Sequence, residues 1–156
     1  AGCPMDRSYF HVLRCSAAVG GGFSPEHGVI LCHNRLHTRR EVLNAMTHEL
    51  IHAYDHCRYG GHIGAATAGP TAEIRAANLS GDCSLFQELL RGNLPLLPLG
   101  WAAQQRACVA RRAALSVAMN PACGGSDAAA VVVSEMMPIC LADTAPFDAS
   151  AAVATS

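Results

Sequence analysis

Thr38-Arg39-Arg40-Glu41-Val42-Leu43-Asn44-Ala45-Met46-Thr47-His48-Glu49-Leu50-Ile51-His52-Ala53-Tyr54-Asp55-His56-Cys57-Arg58 is the stretch on which the reading of this chain turns. Thr38 and Glu41 have the spacing of a capping box, in which each side chain satisfies a backbone N–H left free at the start of a helix. Leu43, Met46, Leu50, Tyr54 and Cys57 recur at spacings of three and four. They predict an apolar stripe on a helix that ends before Gly60-Gly61. Residues four apart on such a helix differ by about 40° in direction and about 6 Å in rise, so His48 and His52 project from one face. Glu49 stands one step round from them.

Two imidazoles and an adjacent carboxylate at this spacing suit zinc hydrolysis of peptides. Zinc brings the pKa of a bound water down to about 7, and the carboxylate takes its proton as it attacks a carbonyl. The same carboxylate can return the proton to the leaving amine. The pattern alone occurs by chance, and two solvent-facing histidines on a surface helix are the plain alternative. Its position mid-helix, roughly opposite the apolar stripe, favours a real site.

A catalytic zinc site needs a third protein ligand and one open position. Asp55 and His56 share the stripe of His48 and His52, but a straight helix brings three ligands to one ion poorly. His62 lies in a Gly-rich linker and could fold back. Glu73 follows His52 by 21 residues and opens a second helix. Ala77, Ser80 and Ser84 continue its face with small side chains that permit close approach to the first helix. Glu73 is the preferred ligand, with Asp55, His62 and His56 as alternatives. Asp55 otherwise reads as a group that orients a histidine or pairs with Arg58, and Arg75, Asn78 and Asp82 as a polar structural network.

Around this centre the chain reads as one α+β domain with a zincin-like plan. A small N-terminal β-hairpin or sheet is expected from Gly20–Gly22, the turn at Ser24–Gly28 and the strand Val29–Cys32. Four main helices are expected. The second runs from about Thr71 through Arg91, with Gly81 as a weak point. The third spans Trp101–Met119. The fourth is capped by Ser126 and ended or kinked by Pro138. The domain covers residues 1–148, and residues 149–156 are a low-complexity tail.

With 51% hydrophobic and 15% charged residues the chain is not a disordered one, and a net charge of -1 gives no general attraction to nucleic acid. No run reaches the ~18 apolar residues of a membrane span. The eight cysteines, at 3, 15, 32, 57, 83, 108, 123 and 140, include no C-x-x-C pair. That spread argues for disulfides in an oxidising compartment rather than a cysteine zinc cluster, without fixing their connectivity.

GGFSPEHGVILCHNRLHTRREVLNAMTHELIHAYDHCR, AEIRAANLSGDCS and CVARRAALSVAMNP, with Cys140 and Pro146-Phe147, resemble the ATP-synthase-assembly metalloproteases of the mitochondrial intermembrane space. The resemblance covers about Cys3 to Asp148. It implies a peripheral inner-membrane protease facing that space, with His48 and His52 as zinc ligands and Glu49 as the catalytic residue. The implied substrate is the precursor of a mitochondrially encoded ATP synthase membrane subunit, whose N-terminal presequence is removed and whose assembly is assisted. Val12 and Thr71 stand where that family usually has two further cysteines. Their joint absence leaves an even count, as if one disulfide were lost as a pair and the remaining eight cysteines all paired. The linker around residues 64–69 and the Ala-rich end also depart from the family.

Two other functions compete. A non-proteolytic ATP synthase assembly chaperone would keep the fold without using the site. A DNA-repair-type metalloprotease can share the motif, but it needs basic or aromatic nucleic-acid surfaces that 5% aromatics and this charge do not supply.

Overall fold

The capping box at Thr38 forms as its spacing requires. The Thr38 hydroxyl accepts from the Glu41 N–H, and the Glu41 carboxylate accepts from the Thr38 N–H. From there α1 runs over Arg39–Arg58. This computed structural model describes residues 3, 5–59, 69–93 and 100–147. The expected tail, most of the Gly-rich linker and the Pro-rich loop after Asn93 lie outside them.

Three strands precede α1: β1 (Phe10–Leu13), β2 (Gly21–Ser24) and β3 (Gly28–Cys32). Their order is β1-β3-β2, with β1 parallel and β2 antiparallel to β3. The hairpin is β2–β3, with Phe23 opposite Val29 and Gly21 opposite Leu31. The sequence reading did not specify β1. Its residues Phe-His-Val-Leu are mostly exposed, so no alternating pattern marks them; pairing to β3 makes them a strand. At Gly28, φ is +73°, and an added Cβ would stand 2.3 Å from the Tyr9 carbonyl oxygen, so glycine alone lets β1 and the hairpin approach there.

After α1 come α2 (Pro70–Leu79), α3 (Leu85–Leu90), α4 (Trp101–Ala118) and α5 (Ser126–Ala142). The long second helix expected from the sequence is two helices. The break falls at Gly81, whose φ of +79° belongs to no right-handed helix. Gly125, not Ser126, occupies the N-cap of α5, and no side chain caps it. Pro138 does not end that helix. Cys140 beyond it is buried in the core, so packing holds the last turn in place of the lost N–H.

The main core lies where α2, α4 and α5 meet, around Ile74, Val109, Ala113, Val117 and Val133. On its other side α2 packs against α1, which in turn packs against β2 and β3. That sandwich corrects the expected stripe on α1. Its buried residues are Glu49, Ile51, His52, Ala53 and Asp55, whereas Leu43 is exposed and Leu50 and Tyr54 are half-buried. A helix covered on two sides buries its polar face as well as an apolar one, so the side bearing the motif faces the interior.

Three disulfides staple the described residues: Cys3–Cys57, Cys15–Cys32 and Cys83–Cys108. They tie the N-terminus to the end of α1, the segment after β1 to β3, and the α2–α3 turn to α4. The expectation that all eight cysteines pair is not met, because Cys123 and Cys140 remain thiols. Most of α5 separates them, about 20 Å from Ser126 to Cys140, whereas a disulfide requires Cα atoms within about 7 Å.

Candidate active site

His48 and His52 occupy successive turns of α1, their ring centroids 4.9 Å apart. Glu73, in the first turn of α2, reaches across to both. Its Oε2 lies 3.6 Å from His48 Nε2 and its Oε1 3.6 Å from His52 Nε2. One ligand atom from each residue falls within 4.8 Å of the others. The Glu73–imidazole distances are long for hydrogen bonds. They are near the roughly 3.3–3.4 Å that separates donors set tetrahedrally at about 2.0–2.1 Å from one ion. Glu73 Oε2 is also buried without a hydrogen-bond partner. A carboxylate oxygen in that position, beside two imidazoles, fits a divalent cation held by these three donors among the described residues.

The other candidates fall elsewhere. Asp55 accepts two bonds from Arg75, from Nε and Nη2, each at 3.0 Å. It does not pair with Arg58, which bonds Asp143 Oδ2 at 2.9 Å. The His56 ring packs on Phe23, centroids 5.8 Å apart. His62 lies outside the described residues.

Glu49 is 6% exposed and lies beside His48 and against Gly21 of β2. Burial pushes its carboxyl up to about 7, with His48 opposing and Glu73 adding to the rise. For Glu73 burial also raises the pKa, but His48, His52 and the Ser116 hydroxyl outweigh it and hold the carboxyl below its ordinary range. Burial disfavours the His48 imidazolium, yet the neighbouring Glu73 and Glu49 carboxylates raise its pKa overall. The cluster thus sets a Glu73 carboxylate, held below its ordinary pKa, against two imidazoles. It is poised for a positive charge at its centre.

Gly21 determines how closely Glu49 can approach the sheet. A methyl group there would stand 2.6 Å from the Ile30 carbonyl oxygen and 3.3 Å from Glu49 Oε1. Gly21→Ala should therefore lower the activity of the site by tenfold or more by shifting Glu49, since displacements of about 1 Å matter that much. Steady-state kinetics beside metal titration tests this: activity should fall while metal binding is kept.

The sequence reading treated Arg75 as structural and assigned it no part in the site. It is buried, and besides Asp55 on α1 it grips the segment after α5. Nη1 donates to the Asp143 carbonyl at 2.6 Å, and Nη2 donates to the Ala145 carbonyl. The Asp143 carboxylate adds an ion pair at 2.7 Å. Arg75 thus ties α1, three residues past His52, to α2, two residues past Glu73. An Arg among the small residues of α2 and an Asp one turn beyond the HExxH motif were the available signals. Arg75→Met leaves Asp55 buried without its partner and should destabilise the fold by about 3–5 kcal/mol. Chemical denaturation measures it, and a loss under about 1 kcal/mol would show the pair to be inconsequential.

His48, His52, Glu73 and Glu49 open into a cleft of about 950 Å³, walled on one side by residues 18–23 and on the other by α3 and α4. Among the described residues β2 is an edge strand of the sheet, and its residues Gly21–Phe23 border the cleft.

The sequence profile of the peptidase M76 family matches residues 1–148. Curated relatives bear the name mitochondrial inner membrane protease ATP23. The Scheffersomyces stipitis protein is 37% identical over 134 residues, covering 86% of this chain and 54% of its own length. The Malassezia globosa protein is 38% identical over 145 residues, covering 88% and 57%. The Sclerotinia sclerotiorum protein is 41% identical over 130 residues, covering 83% and 51%. The chain therefore spans a little over half the length of these relatives. No solved structure gives a significant match. The matched profile and these identities show that the chain belongs to the peptidase M76 family.

Proposed function

We propose that the chain is a zinc-dependent endopeptidase of the mitochondrial inner membrane. The observation that carries this reading is the convergence of His48, His52 and Glu73 with the buried Glu49 beside them. Zinc bound by the three residues supplies a Lewis acid that acidifies water and polarises a peptide carbonyl. Glu49 accepts the proton of the attacking water and hands it to the departing amine, and burial keeps its carboxyl basic enough to do so. The polypeptide lies extended along the free edge of β2, its backbone completing that strand's hydrogen bonds.

The resemblance to the ATP-synthase-assembly metalloproteases supports a particular substrate, the N-terminal presequence of a mitochondrially encoded ATP synthase membrane subunit. Assistance in assembling the membrane sector belongs to the same reading. Three disulfides suit the oxidising intermembrane space. The same resemblance supports peripheral attachment to the inner membrane; no described helix is long and apolar enough to cross a membrane. In cells lacking the endogenous enzyme, the wild-type chain should restore processing of the precursor, and Glu49→Gln should let it accumulate. If ATP synthase assembles and the subunit is matured normally with Glu49→Gln, proteolysis by this site is ruled out and a chaperone role remains.

A further inference from the structure

The cleft continues past the metal-facing residues along α4. Arg112, Leu115, Ser116 and Met119 line it, joined by Leu90 of α3. The three α4 positions and the C-cap residue Met119 follow helical spacings of three and four, so they form one stripe. Val109, Ala113 and Val117 form another, buried in the core. Thus α4 is anchored by small and β-branched residues, while Leu115 and the C-cap residue Met119 present long apolar side chains to the cleft. Leu115 is 60%, Met119 63% and Leu90 67% exposed. Single exposed apolar residues are ordinary, but three gathered in one concavity beside reactive groups mark a surface built to be covered.

The charges there are already engaged. Arg112 Nε and Arg91 Nη2 each lie 2.7 Å from an Asp82 carboxylate oxygen, so neither is set out for an acidic ligand. Ser116 and Glu73 line the same cleft, so this wall adjoins the site. Leu115 neighbours Ser116 in the chain, and Met119 follows one turn on. An apolar side chain held by these residues belongs to the part of a polypeptide next to the bond being cut.

We propose that Leu90, Leu115 and Met119 form a specificity subsite for a large apolar side chain flanking the scissile bond. This rests on the peptidase reading and adds what that reading leaves open, the kind of residue selected. Methionine's flexible, polarisable chain lets the subsite accept several apolar shapes, whereas an aspartate would have to shed water with no partner in return.

Binding and hydrolysis test it separately. A fluorescein-labelled decapeptide of Gly and Ser with one central Leu, and its match with Asp in that place, are titrated onto zinc-loaded Glu49→Gln protein. The Leu peptide should bind about tenfold or more tightly. Leu115→Asp or Met119→Asp, placed in that same background at exposed positions, should abolish the preference with zinc content unchanged. Leu115→Met should keep it. Equal affinity for both peptides, no binding of either, or a preference indifferent to these substitutions would overturn the subsite. So would loss, in the Asp variants, of flotation with phosphatidylcholine–cardiolipin vesicles while peptide binding stays the same, because the face would then meet lipid. Hydrolysis by the chain with Glu49 intact is read apart. Its absence alongside a retained binding preference would sink the peptidase reading and leave an apolar peptide-binding groove.

Discussion

Replacing Glu49 by Gln is expected to lower peptide hydrolysis by about a thousandfold while zinc content stays at that of the wild type. Gln is nearly the same shape, so it still fits between His48 and the backbone at Gly21, but it cannot accept a proton. The fall should appear in kcat, because the group acts on the reacting water rather than on bound peptide. A loss under about tenfold would assign the base to another residue. A second signature comes from the metal-free protein. The Glu49 carboxyl has a pKa of 4.5 when free and about 7 in the fold. Its contribution to stability is therefore complete below about pH 4.5 and disappears as the pH rises through about 7. Urea midpoints of the wild type and Glu49→Gln should lie close together at low pH, where both side chains are neutral, and separate as the pH rises through about 7, with the wild type becoming the less stable. A constant difference would mean that Glu49 does not titrate there.

Glu73→Ala should have the largest effect on the metal itself. It removes the donor that joins α2 to the two imidazoles, leaving two ligands on a single helix. The loss of zinc affinity should exceed the roughly hundredfold that accompanies loss of a supporting partner, and competition with a chromogenic chelator measures it. Asp55→Asn is the contrasting variant. It should weaken the grip of Arg75 and lower the unfolding midpoint, yet leave one zinc per chain. If Asp55→Asn emptied the site and Glu73→Ala did not, the assignment of the third ligand would be reversed.

The parts of this site that sequence spacing could reveal are those governed by local geometry. The capping box and the two histidines depend on one helix and four-residue steps, and α1 presents them as those steps require. Glu73 needed a guess about which face of a second helix approaches the first, which its small neighbours made possible. Arg75 was not legible, because its importance comes from partners at positions 55, 143 and 145 that only the tertiary fold assembles. The stripe on α1 was misjudged for a related reason. Periodicity identifies an apolar side, but it does not tell whether a helix lies at the surface or between a sheet and another helix. Strand β1 was missed because its partner, β3, lies beyond the next strand in sequence. Cys123 and Cys140 show that an even count constrains nothing until distances are known.

The grip of Arg75 on the residues after α5 has a consequence for the order in which this protein becomes active. A chain emerging N-terminus first has its two histidines and both site glutamates well before Asp143 and Ala145 appear. Until those last residues arrive, Arg75 lacks half its partners, and its bridge between α1 and α2 through Asp55 has no support from the segment after α5. Maturation of the cleft is thereby tied to completion of the domain. A fragment that stops short of Asp143 would lack this support for the cleft.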